Sequence, residues 1–394
     1  MYRKLTAALV AAGALSAQTA PAGWEATGMK LAAAGQYLAA ADTFRAAAID
    51  SAGKMTDDIA FQYWAQITPF MINELPLDFY DRNDDSAPDT SWRTAIASAT
   101  PRPALAEIVR RARATRIVIL NEAHVSPRDR AFALQIARAL RPLGYTTLAA
   151  EAITMDQAAA LGHDGFARLG TGYYTRDPVF AGFLREAMAM GYRPVGYDPP
   201  LPTWDQRERA AADNLMRQIF ATDPGAKLLL YVGHGHIQES ARPGRGDAVA
   251  ARIKRLTGVD PLTIEQTTVT DRYPHNRPAY DAAAARIREP TVFFTGNQPL
   301  VLGYKPGDVD LQVIHPRRAY RYGRPTWLAT LGGKPTPVPA RLIPTAGRRL
   351  VQAFAADAPA DAVPLDQVLL TGGKWAPMLM VPKTKSRFAT QDAP

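Results

Sequence analysis

Short apolar runs alternate with amphipathic segments through the middle of the chain. The apolar runs are continuous, as in strands that are covered on both faces, and the segments between them repeat apolar residues at helical spacing. This alternation predicts an α/β core domain over residues 96–271, with a parallel central sheet and flanking helices. We predict its strands at 116–122, 146–151, 193–197, 227–232 and 261–266.

The helix that follows the first of these strands is marked by its own residues. Ser126 is a candidate N-cap, Pro127 suits the first helical position, and Asp129 completes an S-x-x-D capping box. The apolar stripe expected to face the sheet consists of Phe132, Ile136 and Leu140. A helix is therefore predicted to start directly beyond the carboxyl end of the strand.

Regions of different texture flank the core. Residues 24–75 are rich in alanine and resemble one tetratricopeptide-type hairpin, within a helical N-terminal region at 21–95. One such unit cannot bury its own apolar face, so it is expected to lie against another part of the chain. A loop is predicted at 81–92, and proline, glycine and short β-rich runs predict a smaller β-rich C-terminal region at 272–394.

The N-terminus has the layout of an export signal. A basic start is followed by an apolar run at about 5–15 and then by small residues. This pattern predicts a cleaved signal peptide at 1–20, with the mature chain starting between about Ala17 and Pro21 in the periplasm or outside the cell. An N-terminal helix of the mature protein is the alternative.

Composition narrows the chemistry. The chain has no cysteine, which excludes disulfides, a thiolate nucleophile, cysteine-ligated metals and a lipidated N-terminal cysteine. The formal charge is +9, but the arginines are spread along the chain, so no nucleic-acid partner is predicted. General basicity would permit a peripheral association with an anionic envelope surface. The oligomeric state is left open.

Polar and ionisable residues stand where four of the predicted strands end. In an open parallel sheet these carboxyl ends share one edge, and ligands bind there. The strand-end residues are Glu122, His124, Glu151, Tyr197, Asp198 and the Gly-His-Gly-His run at 233–236. Residues two apart face the same side of an extended backbone, as in Glu-x-His and His-x-His here. The coincidence predicts one shared site.

Each of these residues also has a plainer explanation. Glu122 could cap a helix, and His124 could be a hydrogen-bonded loop histidine. A carboxylate at Glu151 follows apolar residues and is costly there unless it has a partner. No chemistry is assigned to the remaining histidines, His163, His275 and His315.

The order of these motifs resembles a broad superfamily that comprises the erythromycin esterases, the ChaN-like haem-binding proteins and the Tiki/TraB metalloproteases. The superfamily pattern begins with a G-E-x-x-H or G-x-x-H motif, and the stretch 121–124 lies against the conserved end of that motif. Glu151 matches the second acidic residue of the pattern, and 233–236 matches its closing G-x-x-H motif, with His236 as the aligned histidine. The R-[DE]-x-x-x-x-x-N helix of the esterases is matched by Arg207, Glu208 and Asn214, on a helix expected to start near Thr203.

The resemblance covers about 116–240 and includes departures. Asn121 replaces the opening glycine, Gly233 replaces the first histidine of the esterase H-N-x-H motif, and His234 is an additional histidine. The chain also lacks the lipidated cysteine of the ChaN-like lipoproteins. The activity within the superfamily therefore stays open.

The resemblance and the residues together predict an exported hydrolase that cleaves an ester or amide bond in a small molecule or peptide. The predicted catalytic residues are Glu122, His124, Glu151, Arg207 and His236, with Tyr197 and Asp198 binding substrate. In one version a divalent metal such as zinc or manganese is held by His124, Glu151 and His236, with His234 as a further candidate ligand. In the other, His124 is the general base, and His236 and Arg207 stabilise the oxyanion.

The main alternative is a non-catalytic haem- or ligand-binding envelope protein of the ChaN-like type. A histidine or a tyrosine would then be the axial ligand of the haem iron. The tyrosines near the strand ends are Tyr173, Tyr174 and Tyr197. A scaffold protein led by the helical hairpin is a third hypothesis, which would leave the strand-end residues without a role.

Overall fold

A computed structural model describes residues 23–81, 88, 90–242, 244 and 246–393. The predicted signal peptide at 1–20 and its cleavage point lie outside the described residues. The helices are α1 (Trp24–Ala33), α2 (Tyr37–Ala48), α3 (Asp58–Ile72), α4 (Ser91–Ser98), α5 (Ala104–Ala112), α6 (Pro127–Leu140), α7 (Ala158–Asp164), α8 (Pro178–Ala189), α9 (Trp204–Leu215), α10 (Val249–Thr257) and α11 (Arg277–Ala284). Within the described ranges, no helix is long and apolar enough to span a membrane.

The strands form one large sheet and three small antiparallel ones. They are β1 (Thr100–Pro103), β2 (Ile117–Glu122), β3 (Thr147–Ala150), β4 (Arg193–Val195), β5 (Leu228–Gly233), β6 (Leu262–Glu265), β7 (Thr291–Thr295), β8 (Gln298–Pro299), β9 (Leu311–Ile314), β10 (Tyr320–Arg321), β11 (Arg324–Pro325), β12 (Lys334–Thr336), β13 (Arg348–Ala355), β14 (Asp366–Thr371), β15 (Leu379–Val381) and β16 (Ser386–Ala393). The five strands predicted from the apolar runs correspond to β2 to β6.

The central sheet has the strand order β1-β7-β9-β6-β2-β5-β3-β4, with β8 beside β7. The six strands from β9 to β4 in this order are parallel, whereas β7 pairs antiparallel with both β9 and β1. The predicted fold class, a parallel central sheet with flanking helices, is confirmed. The domain boundaries stay predictions, although β7 and β9, from beyond residue 271, extend this sheet.

Helices cover both faces of the central sheet. Along β2, Val118 and Leu120 pack with the apolar stripe of α6 and with α8, while Ile117 and Ile119 pack with α9 and α10 on the opposite face. Successive side chains of a strand point to opposite faces, so a run without polar residues is stable when both faces are buried. This explains the continuous apolar runs in the sequence.

The N-terminal helices pack against the C-terminal strands. The buried residues Tyr37, Phe44 and Phe70 share one apolar cluster with Leu350 of β13. The side chain of Gln391, on β16, donates a hydrogen bond of 2.7 Å to the carbonyl of Gly35. The apolar face of the helical hairpin is thus covered by another part of the chain.

Candidate active site

The carboxyl ends of four neighbouring strands meet at one edge of the central sheet. Strands β2, β5, β3 and β4 lie side by side in this order, and Glu122 at the end of β2 is in register with Gly233 at the end of β5. Glu151 follows β3 directly, and Asp198 comes shortly after β4. The segments that leave these strands therefore surround a common space.

Glu122 is buried and held by three side chains. Its Oε1 lies 2.9 Å from Nδ1 of His124, and its two oxygens accept hydrogen bonds of 2.8 and 3.1 Å from Arg130. The hydroxyl of Tyr231 donates a further bond of 2.9 Å. Burial raises the pKa of Glu122, but the charges of Arg130 and His124 outweigh burial and bring it to about 2. Glu122 is therefore a carboxylate at neutral pH.

His124 is oriented by Glu122 and by an aromatic ring. Its imidazole stacks on Tyr174 with 4.0 Å between ring centroids. With Nδ1 donating to Glu122, the neutral ring carries an unprotonated Nε2. Among the described residues Nε2 has no hydrogen-bond partner, and the side chain is 22% exposed. Such a nitrogen can accept a proton from a ligand, or it can bind the ligand directly.

Arg130 fixes this pair from beneath. It is fully buried, and its Nη1 lies 2.6 Å from Oδ2 of Asp177. Asp177 in turn caps α8 by accepting a hydrogen bond of 3.0 Å from the backbone N–H of Val179. Nη2 of Arg130 also donates 2.9 Å to the carbonyl of His124. One arginine thus positions both the imidazole and the carboxylate that orients it.

Helix α6 carries Arg130 and begins where it was predicted, but its capping differs. Ser126 precedes the helix, yet its hydroxyl donates 2.7 Å to Asp129 and caps no backbone N–H. The other oxygen of Asp129 accepts 3.0 Å from the N–H of Ala123. The carboxylate of Asp129 therefore accepts hydrogen bonds from both sides of the turn between β2 and α6. This turn places Arg130 close to Glu122.

Arg207 connects Glu151 with Asp198. It lies on α9, where the side chain of Thr203 caps the first turn. Its Nε donates to both oxygens of Asp198, at 2.8 and 2.9 Å, and its Nη2 donates to Asp198 and, at 2.6 Å, to Oε1 of Glu151. Oε2 of Glu151 accepts a bond of 2.5 Å from the N–H of Gly233. Arg207 is therefore held in ion pairs at the sheet edge, with its side chain 28% exposed.

His236 forms a second carboxylate–imidazole pair. Its Nδ1 lies 2.6 Å from Oε1 of Glu208, and its ring stacks on Trp204 with 4.7 Å between centroids. The second oxygen of Glu208 accepts 2.6 Å from the N–H of Val249, at the start of α10. Burial lowers the pKa of His236, but Glu151 and Glu208 outweigh burial and raise it to about 9. His236 is therefore an imidazolium at neutral pH.

Gly233 lies between the two pairs. A Cβ atom added there would be 2.9 Å from Oε2 of Glu151 and 3.0 Å from Nε2 of His124. Nε2 of His236 lies 3.6 Å from Oε1 of Glu151. Burial raises the pKa of Glu151, but His236, His124 and Arg207 lower it far below its usual range. The structure thus brings His124, Glu151 and His236 together around a position that only glycine fits, while their catalytic roles stay predictions.

His234 lies beside the site. Its ring centroid is 6.3 Å from that of His124, and its carbonyl accepts 3.2 Å from Nδ2 of Asn121. Burial and the charges of His124 and Arg272 lower the pKa of His234 to about 3. His234 is therefore neutral, in contrast to His236.

The tyrosines named from the sequence point into the protein. Tyr197 is 2% exposed and packs in the apolar cluster of α9 and β5, and burial together with the charges of Glu151 and Asp198 raises the pKa of its hydroxyl. Substrate binding by Tyr197 stays a prediction. The hydroxyl of Tyr173 is buried, and that of Tyr174 faces Gln66 of α3 at 3.5 Å. Axial ligation of haem by one of these tyrosines stays a prediction.

The side chains fit a bound metal poorly in this arrangement. Both oxygens of Glu151 are engaged by Arg207 and Gly233, and Nδ1 of His236 is engaged by Glu208. In the part of the chain that the structure describes, no group of three or more His, Asp or Glu side chains is arranged to hold a metal ion. The predicted zinc or manganese site stays a prediction.

Comparisons with known proteins find distant likenesses to solved structures. No family model and no curated protein matches the chain. A structure described as bacterial protein toxins matches at 18% identity and a TM-score of 0.32, over 57% of this chain and 55% of that one. The type III effector HopBA1 matches at 16% identity and a TM-score of 0.31, over 45% of this chain and 94% of its own.

A ChaN protein is also among these structures. ChaN of Campylobacter jejuni, described with cofacially bound haem, has 9% identity and a TM-score of 0.32, over 54% of this chain and 92% of that one. The likeness to all these structures concerns the general fold, and the chain spans 55% of the toxin structures that it matches.

Several residues that build the site were not predicted from the sequence. They are Arg130, Asp177, Glu208, Trp204 and Tyr231, while Tyr174 was named only as a candidate haem ligand. Glu208 was visible in the esterase-like helix motif but was given no role, and Arg130 stands eight residues after Glu122, on the helix predicted to leave that strand. The remaining residues carry no local pattern that would have marked them.

Proposed function

We propose that the protein is a hydrolase that cleaves an ester or amide bond with a water molecule activated by His124. The observation that carries this proposal is the orientation of His124. Its Nδ1 is bound to the buried carboxylate of Glu122, which leaves an unpartnered Nε2 at the sheet edge. A carboxylate that fixes the tautomer of a histidine and stabilises its protonated form is typical of a general base.

The charges around His124 suit the developing charge of acyl transfer. Water would lose its proton to Nε2 of His124 while its oxygen attacks the carbonyl carbon. The carbonyl oxygen then becomes an oxyanion, which the imidazolium of His236 and the exposed part of Arg207 would stabilise. On collapse of the tetrahedral intermediate, the leaving group takes the proton from His124. No covalent intermediate with the protein is needed.

Glu151 would position the cations Arg207 and His236 and would take no proton itself. It is bound to Arg207 and to the N–H of Gly233, and it faces His236. Its strongly lowered pKa keeps it ionised. Glu151 therefore holds the two cations of the site at a fixed separation, which is the preorganisation that oxyanion stabilisation requires.

The experiment compares His124→Gln with His163→Gln, a substitution of a histidine whose side chain is 89% exposed. Purified protein is assayed against activated esters and peptides, with and without a chelator, and is titrated with haem. We expect turnover in the wild type and in His163→Gln and its loss in His124→Gln. A Soret band that requires His124, without turnover of any substrate, would replace the hydrolase by the haem-binding alternative.

We also propose that the protein acts outside the cytoplasm, on the basis of its N-terminal sequence. Intact-mass measurement of the protein from the periplasmic fraction should give a chain that starts between about Ala17 and Pro21. Exported protein that retains residues 1–15 would contradict cleavage and indicate a tethered form.

A further inference from the structure

A small cavity beside the candidate active site is rich in arginine. It lies between the segment that follows α3, the start of α6, and the segments that carry Arg272 and Arg318. The lining residues that matter here are Glu74, Ser126, Arg128, Arg272 and Arg318. The cavity is close to the site, since Ser126 is two residues from His124 and the charge of Arg272 acts on His234.

Arg272 has hydrogen-bond donors that nothing in the described chain uses. The residue is 5% exposed, and its Nε and Nη2 atoms are buried without a hydrogen-bond partner among the described residues. Burying a guanidinium without acceptors is unfavourable. Its position in the cavity lining is therefore consistent with an acceptor from outside the described part of the chain.

Arg128 adds a second cation and a helix start. It is 9% exposed, and its Nη1 donates 3.1 Å to the carbonyl of Pro316, a neutral acceptor. Arg128 is also the second residue of α6, whose first turn carries backbone N–H groups and the positive end of the helix dipole. Cationic side chains and a helix start together favour an anion.

The acidic groups nearby are already engaged. Asp271 accepts two hydrogen bonds, of 2.8 and 3.1 Å, from Arg318. Glu74 accepts 2.6 Å from the hydroxyl of Tyr320 and 2.7 Å from the indole of Trp327. Asp129 is bound to Ser126 and Ala123, as described above. These contacts leave the guanidinium groups of Arg128 and Arg272 without a hydrogen-bonded carboxylate in the described part of the chain, although their charges act on Asp129 and Asp271.

We propose that this cavity is an oxyanion-binding site, in which Arg272 and Arg128 hold a carboxylate or phosphate group at the start of α6. An oxyanion would supply the acceptors that Nε and Nη2 of Arg272 lack, and a planar guanidinium binds carboxylate and phosphate through two parallel bonds. The site goes beyond the proposed hydrolysis and does not depend on it.

The test is isothermal titration calorimetry of the full chain with sodium phosphate and, separately, with sodium acetate, at constant ionic strength. We expect saturable binding of one of these anions at a single site per chain. Arg272→Met should weaken it at least about tenfold, as expected for the loss of charge-assisted hydrogen bonds. Arg209→Met, which removes an exposed arginine paired with Asp205, is the control and should bind as the wild type does.

A second variant and a second readout keep the proposal testable. Arg128→Met should also weaken binding, and it decides the question if Arg272→Met does not fold. Without the anion, Arg272→Met should melt at the same temperature as the wild type or higher, because the substitution removes buried guanidinium donors that have no acceptor among the described residues. Absence of saturable binding for both anions, or wild-type affinity in both arginine variants, would overturn the proposal.

Discussion

Arg130 offers the sharpest test of how the site is built, because it is the buried cation shared by two buried carboxylates. The side chains of Arg130 and Asp177 are 0% exposed and that of Glu122 is 3% exposed. Arg130→Met keeps an unbranched apolar chain on α6 and removes the guanidinium. Glu122 and Asp177 then lose their shared partner in a place that water does not reach.

The expected cost at pH 7 is large. Removing one partner of a buried ion pair typically costs about 3–5 kcal/mol, because the other charge is left uncompensated. The pKa of Glu122 gives a similar magnitude, since its decrease from 4.5 to about 2 corresponds to roughly 3 kcal/mol of stability at neutral pH, part of which comes from His124. We therefore expect Arg130→Met to lower the free energy of unfolding by about 3–5 kcal/mol.

The pH dependence has a defined sign. In the wild type the lowered pKa of Glu122 contributes stability that is present above about 4.5 and is lost as the pH falls towards 2. In the variant, burial without Arg130 would raise the pKa of Glu122, and that of Asp177, already raised by burial, would rise further. Protonation of these carboxyls then favours folding, so the difference between variant and wild type should narrow as the pH falls from 7 to about 4.

The assay is urea-induced unfolding followed by circular dichroism at several pH values. Arg209→Met is the matched control, because Arg209 is 66% exposed and pairs with Asp205, which is 44% exposed. Such a surface pair contributes at most about 1 kcal/mol. A loss of less than about 1 kcal/mol in Arg130→Met, or a difference from wild type that does not change with pH, would refute the reasoning.

Three further predictions concern the edge of the sheet. Arg207→Lys should lower kcat/KM for a hydrolysed substrate by about 10²-fold with folding retained, because a single ammonium group cannot replace the planar guanidinium that bonds both Glu151 and Asp198. Turnover equal to that of the wild type would show that the role of Arg207 is only structural. The raised pKa of His236 contributes stability that is present below about pH 6.5 and is lost as the pH rises through about 9, and urea unfolding of Glu208→Gln should show this loss at a lower pH than the wild type. Identical pH dependence of the free energy of unfolding in the two proteins would contradict the role of Glu208 in raising the pKa of His236. Gly233→Ala should also lower kcat/KM by about 10²-fold, since its methyl group displaces Glu151 and His124. Unchanged steady-state rates would show that the site tolerates this displacement of the two side chains.

The apolar pattern was sufficient to predict the strands that carry the site. Continuous apolar runs at β2 and β5 reflect burial on both sheet faces, which is a requirement on each residue of the strand and is therefore visible locally. The polar residues at the strand ends, such as Glu122 and His236, could also be predicted to lie at one edge of the sheet. The carboxyl ends of parallel strands share an edge in any strand order. The start of α6 was also predicted, but not the use of Asp129 within the turn.

The partners that give these residues their properties were decided by the tertiary structure. Arg130 and Asp177 are 47 positions apart, and Arg207 and Glu151 are 56 apart. Such pairs meet only because β5 lies between β2 and β3 in the sheet and because the helices pack across particular strands. Strand order is not visible in the local periodicity of the sequence. The extension of the central sheet by β7 and β9 was likewise decided by the tertiary structure and is not visible in the sequence pattern. Burial and charge act together only in the folded chain, which is why one histidine of the His-x-His run is neutral and the other is an imidazolium.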